Sequence, residues 1–134
     1  MNTAEAYNAL NLLPKIGPVR VRRLLPIFGT PQAILGAKRE QIRQLEGFGN
    51  EMAKLIVSWQ DRIDLQRELQ LIRDANVHCV CTADDDYPTS LRDIHDPPLV
   101  LYVWGTLTAA DNRSIGIVGS RRATHYGQQT AKKL

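Results

Sequence analysis

The sequence predicts an all-helical unit over residues 1–60, followed by the opening of an α/β unit over residues 61–134. Two observations carry this reading. Before residue 60 apolar residues recur at helical spacing, and a short Leu-x-x-apolar-Gly unit occurs twice, at Leu13–Gly17 and Leu45–Gly49. Beyond Asn76 the apolar residues gather instead into short runs, the last of which leads through a glycine turn into a helix-compatible segment.

The first helix is expected to start at Asn2 or Thr3, with Asn2 and Glu5 forming a capping box and Ala6, Leu10 and Leu13 its buried stripe. Pro14 ends it. Gly17 and Pro18 suit the cap and first turn of a second helix, and Thr30-Pro31 suits the start of a short third that stops near Gly36. A fourth over Lys38–Leu45 directs Ile42 and Leu45 inward, and the repeated unit then opens a fifth helix. Arg20 and Arg23 share a face of the second helix while Arg22 points elsewhere, a cluster that suits either phosphate contact or a plain solvated face.

From Arg62 to about Ala75 a helix carrying Ile63, Leu65, Leu69 and Ile72 stops at Asn76 and leads into a strand, Val77–Cys81. Asp84-Asp85-Asp86-Tyr87-Pro88 is a turn, Leu99–Trp104 a second strand closed by Gly105, and Thr106–Arg113 a polar loop. Ile115–Val118, with no polar residue, reads as a third strand buried on both faces, as in a parallel sheet covered by helices. Gly119 then lets backbone N–H groups approach an anion, the following helix N-terminus adds partial positive charge, and Arg121 offers a planar fork of donors. Spacing alone leaves two readings open, a phosphate site and a structural strand-to-helix turn. G-x-G-x-x-G is absent, so a dinucleotide fingerprint is excluded.

Two resemblances add to this. Leu13-Pro14-Lys15-Ile16-Gly17 and Leu45-Glu46-Gly47-Phe48-Gly49, each with a small or medium apolar residue four positions after the last glycine (Val21, Ala53), resemble tandem helix-hairpin-helix (SAM-like) motifs. That family implies phosphate contact through hairpin N–H groups, here at Gly47 and Gly49, although such tandems also serve as scaffolds or protein contacts. Lys15 stands where the first copy would carry its first glycine, which weakens that hairpin as a phosphate site.

The run I-V-G-S-R-R-A-T-x-Y-G at Ile117–Gly127, preceded by Asp86-Tyr87-Pro88, Leu91, Asp96-Pro97-Pro98-Leu99-Val100-Leu101-Tyr102 and Gly105, resembles the DNA-processing protein A (DprA/Smf) family from about Leu71 onward. The resemblance implies an extended Rossmann-like domain that binds single-stranded DNA and loads the RecA recombinase in natural transformation. It places Gly119, Ser120 and Arg121 in the DNA pocket, with Arg122 and Lys132 extending the positive potential. The family's later S-G-x-A-x-G-I-D and R-N-R segments and its dimer surface have no counterpart here. The expectation is therefore an N-terminal portion of a longer protein, with a self-contained helical unit, a truncated Rossmann-like unit with exposed apolar surface, and a homodimer formed through a downstream segment.

Composition is that of a water-soluble globular chain, and neither a membrane-length apolar run nor a secretory leader is visible, so the cytosol is the default compartment. Charge is uneven. Residues 1–60 hold eight basic against four acidic residues, 61–110 four against nine, and 111–134 five against one, so a polyanion is attracted to both ends and repelled by the middle. Cys79 and Cys81 point to one face of a strand and make a poor disulfide; with His78 they lack the fourth ligand of a zinc site. No metal, cofactor or catalytic residue is assigned. The reading is a non-catalytic single-stranded DNA-binding protein. Its alternatives are a nucleotide-binding hydrolase of a related Rossmann-like fold, whose P-G-G-x-G-T run is missing, or a helix-hairpin-helix protein-interaction module.

Overall fold

Asn2 opens the fold as its sequence context requires. In the computed structural model, which describes residues 1–133, its side chain accepts the Glu5 N–H at 2.8 Å while Glu5 Oε2 accepts the Asn2 N–H at 3.0 Å. This closes the expected capping box at the start of α1 (Thr3–Leu12), whose Ala6, Ala9 and Leu10 are fully buried. Gly17 caps α2 (Pro18–Phe28), and Thr30, accepting the Ala33 N–H at 3.1 Å, caps α3 (Pro31–Leu35). After α4 (Arg39–Arg43) and α5 (Gly49–Val57), a 3₁₀ turn at Trp59–Asp61 leads to α6 (Leu65–Asp74). Asn76, at φ 51°, takes the left-handed step that stops that helix, a conformation asparagine tolerates well.

The two hairpins are copies in backbone as well as in sequence. Ile16 N–H donates to Leu13 O at 3.2 Å and Phe48 N–H to Leu45 O at 3.1 Å, each across a tight turn. At the same place in both turns the chain goes left-handed, at Lys15 (φ 65°) and at Gly47 (φ 81°). Glycine does this freely, whereas the Cβ of lysine crowds the next carbonyl at a cost of about 1 kcal/mol. Packing decides the conflict: Leu13, Ile16, Val21 and Leu24 are buried on the first copy and Phe48, Ala53 and Ile56 on the second. Each large apolar side chain contributes roughly 1.5–3 kcal/mol on burial, so the hairpin imposes its backbone on Lys15.

Of the three arginines of α2, Arg20 and Arg23 are exposed and Arg22 is half-buried, and each guanidinium also bonds to the protein. Arg20 Nη1 donates to Lys15 O (2.7 Å), and Arg23 Nη2 donates to Glu46 O (2.7 Å) while stacking over the Phe48 ring. Arg22 leaves the helical unit altogether. It donates to Pro97 O (3.0 Å) and His95 O (3.4 Å) and pairs with Asp96 Oδ1 (2.6 Å). A fork of donors meeting main-chain oxygens in this way is satisfied without any ligand.

β1 (His78–Cys81) and β2 (Val100–Val103) form a two-stranded antiparallel sheet in which Val80 faces Leu101 and Cys81 faces Val100. Between them only α7 (Thr89–Arg92) intervenes, too short a helix for a parallel crossover. α1 packs against both strands, and one apolar cluster runs from Ala6, Leu10 and Ile34 through Leu65 to Cys81, Leu99 and Val100. The helical unit thus shares its apolar cluster with the sheet. Asn8, itself buried, accepts from Tyr102 Oη at 2.8 Å and donates to Cys79 Sγ at 3.4 Å across the same boundary.

A 3₁₀ turn (Ala109–Arg113) and α8 (His125–Ala131) complete the described elements, and the expected outer limit of the second unit, Leu134, lies outside the described residues. The predicted third strand is not formed. Ile115 and Val118 are 77% and 95% exposed, and Ile115–Val118 has no regular structure. One 3₁₀ turn stands between β2 and this run, and among the described residues no strand lies beside it to pair with.

Two substitutions test this account by thermal and urea denaturation. Lys15→Gly relieves the left-handed strain and loses only an exposed ion pair, so stability is expected to rise by roughly 0.5–1 kcal/mol. Arg22→Ala strips charge-assisted bonds from the Pro97 and His95 carbonyls, and is expected to cost roughly 1–2 kcal/mol while keeping a single cooperative transition.

Candidate nucleic-acid interface

Two groups of residues carry the expected interface, and they are built differently. The first is the paired hairpins. Gly47 has two reasons to be glycine, its φ of 81° and the Arg23 guanidinium lying 3.0 Å from where a Cβ would stand. Gly49, at φ 44°, has nothing within 4 Å of that position, so its backbone faces open space at the start of α5. Neither glycine N–H is taken by a main-chain carbonyl among the described residues. These donors at an open helix start are the geometry by which backbone amides meet an anion. Beside them Lys15 Nζ meets Glu51 Oε1 at 2.6 Å, both side chains largely exposed, and the Glu51 carboxyl is held below its ordinary range, first by the hydrogen bond from Lys15 and then by its charge.

The second group is Gly119, Ser120, Arg121 and Arg122. All four are exposed and lie in irregular chain, so the backbone notch expected at the end of a buried strand is not formed. Nor do they sit at a helix N-terminus. α8 starts only at His125, because Thr124 Oγ1 accepts the Gly127 N–H at 3.2 Å and so makes Thr124 the cap. Lys132, expected within the helix, is its C-cap residue, also exposed. Arg121 and Arg122 make no ion pair among the described residues. The nearest acid in sequence, Asp111, is occupied, its carboxyl held below the usual range chiefly by the Thr108 N–H and then by the Thr108 hydroxyl.

The Lys15–Glu51 pair ties the two hairpins together, whereas among the described residues the hydrogen bonds of residues 115–133 are all local and none joins them to Gly47 or Gly49. A cleft of about 410 Å³ beside α7 is lined by Asp85, Asp86 and Asp111. Its sign repels a polyanion, which separates it from either basic group. Burial raises the Cys79 thiol, and burial, then the Asp84 carboxylate, pushes Cys81 up to about 11, the opposite direction from an activated thiol. Burial, and next the Glu68 carboxylate, whose Oε1 lies 2.8 Å from the hydroxyl and shares its single proton with Asn8 Oδ1, likewise raises Tyr102.

Sequence reasoning missed the anchoring roles of Arg22 and Arg23. For Arg23 a signal was present, since the repeat places its helix against a hairpin whose glycine leaves room for a guanidinium. For Arg22, whose partner is 74 residues away, no local pattern could have found it.

Comparison with known proteins divides the chain along the same lines. Residues 78–134 match the family described as DNA recombination-mediator protein A, and residues 8–58 match the SAM-like helix-hairpin-helix tandem. Protein Smf of Synechocystis sp. is 29% identical over 138 residues, covering 99% of this chain and 35% of that protein. DNA processing protein DprA of Bacillus subtilis is 38% identical over 71 residues, covering 52% of this chain and 24% of that protein. The chain thus spans about a third of the length of the first of these relatives. No solved structure matches it significantly. Both units are thus matched in order, and the chain is similar to the DNA-processing protein A (DprA/Smf) family over residues 78–134 and to one relative of that name across nearly the whole chain.

Proposed function

We propose that this protein acts in DNA processing by binding single-stranded DNA without cleaving it, protecting incoming strands and delivering them to the RecA recombinase in natural transformation. The names of its relatives, Protein Smf and DNA processing protein DprA, support the DNA-processing part. Gly119, Ser120 and Arg121 form the main phosphate contact, Arg122 and Lys132 add positive potential, and the Gly47-Phe48-Gly49 hairpin is an auxiliary contact. A Rossmann-like sheet that takes in Ile115–Val118, and a homodimer, belong to the same reading; an apolar run left in solvent supports the first.

The observation that carries the proposal is how the arginines are used. Those of α2 and α7 are consumed by main-chain oxygens, Arg92 donating to Thr82 O and Asp84 O. Arg121 and Arg122 have no such acceptor among the described residues, a state they share with arginines such as Arg43 and Arg67, but they adjoin each other in the most one-sidedly basic part of the sequence. Guanidiniums that the fold does not satisfy are the ones available to a phosphodiester.

Fluorescence anisotropy with labelled oligo(dT) tests this at two salt concentrations. Affinity is expected to fall as salt rises, and Arg121→Ala to weaken binding roughly tenfold and flatten the log–log salt slope by about 0.7, the value of one phosphate contact on a single strand. Equal affinity of the two proteins, or no salt dependence, would sink the proposal.

A further inference from the structure

The Lys15–Glu51 pair joins the two hairpins. Lys15 belongs to the tip of the first and Glu51 to the first turn of the helix that follows the second. Of the cations beside the hairpins, Arg20 holds Lys15 O and Arg23 holds Glu46 O, while Arg39 meets the neutral Asn50 side chain and Lys15 meets Glu51. Of these side-chain partners Glu51 is the anion, and it can leave. That partner is 70% exposed and Lys15 itself 61% exposed, so water and salt compete with the pair at little cost.

The backbone at Lys15 sharpens the point. The homologous place in the second hairpin is glycine, and the left-handed geometry at φ 65° favours glycine here too. A lysine kept in a position where glycine is conformationally cheaper carries a charge to that spot, and the Arg20 bond to its carbonyl fixes the residue there.

We propose that Lys15 is a phosphodiester ligand of single-stranded DNA and that Glu51 is its internal competitor, an anion that an incoming phosphate must displace. This rests on the reading of the protein as a DNA binder and extends it to the first hairpin, whose missing glycine is replaced by charge. In the free protein the carboxylate neutralises the ammonium. On binding, phosphate oxygens take the ammonium and the carboxylate swings to solvent. The exchange lowers intrinsic affinity, because a resident anion holds the cation that the ligand needs.

The test uses the whole chain, oligo(dT) anisotropy, and the variants Glu51→Gln, Lys15→Gly and the double variant. Glu51→Gln is expected to bind about three- to tenfold tighter at low salt, with a log–log slope steeper by about 0.7 as one more phosphate contact forms. Lys15→Gly, which keeps the hairpin backbone, serves as the folded control, and in the double variant the gain is expected to vanish. If Glu51→Gln binds like wild type while Arg121→Ala still weakens binding, the competitor idea fails and the DNA-binding reading stands. A double variant as tight as Glu51→Gln would reduce the effect to bulk charge and overturn the role of Lys15. Absence of binding by every variant would remove both.

Discussion

The burial of α1 is the constraint on which the rest of the molecule depends. Its small residues Ala6 and Ala9 let neighbouring elements approach closely, and it packs on α3 and α6 on the helical side and on both strands on the other. An amphipathic helix stabilises a fold through one apolar stripe, but α1 is covered on several sides, with Tyr7, Asn8, Ala9 and Leu10 all buried. The polar member of that set, Asn8, is tolerated because its amide finds Tyr102 and Cys79. A helix that begins the chain therefore decides where a sheet beginning after residue 77 must lie.

Electrostatics follows from this arrangement rather than from composition. A count of basic residues suggests two ends equally suited to a polyanion, yet at the first end the arginines of α2 are engaged by hairpin carbonyls and by the Asp96 loop. What the hairpins themselves add is backbone donors, Lys15 with its exposed partner, and Arg39 on the Asn50 side chain. The other end keeps its guanidiniums unspent but lacks a formed cradle. The two basic regions thus differ in kind, one organised with little free charge and one charged with little organisation.

Much of the fold was legible because its signals act within one turn of chain. Asn2 with Glu5, Gly17 with Pro18, Thr30 with Pro31, and the left-handed stop at Asn76 each state a boundary through bonds spanning at most a few residues. Ile115–Val118 forms no strand here for a reason of the same kind. Apolar periodicity says that residues suit a buried strand, but pairing needs a neighbour whose presence no local pattern records. The candidate site was half legible: the glycines of the second hairpin announced themselves, whereas Arg23 against Gly47 and Lys15 against Glu51 are distant pairs. The same holds for Asn8 and Tyr102, 94 residues apart.

Arg22 grips the Asp96–Pro98 loop mostly through peptide oxygens, and Tyr87 holds the same loop through Pro98 O at 2.8 Å. Apart from the Asp96 carboxylate, which pairs with Arg22, a lock made on peptide groups is indifferent to which side chains the loop displays. Residues such as Ile94 and the His95 imidazole are therefore free to vary, and the loop can be recast for a new contact while the joint between helices and sheet keeps its angle.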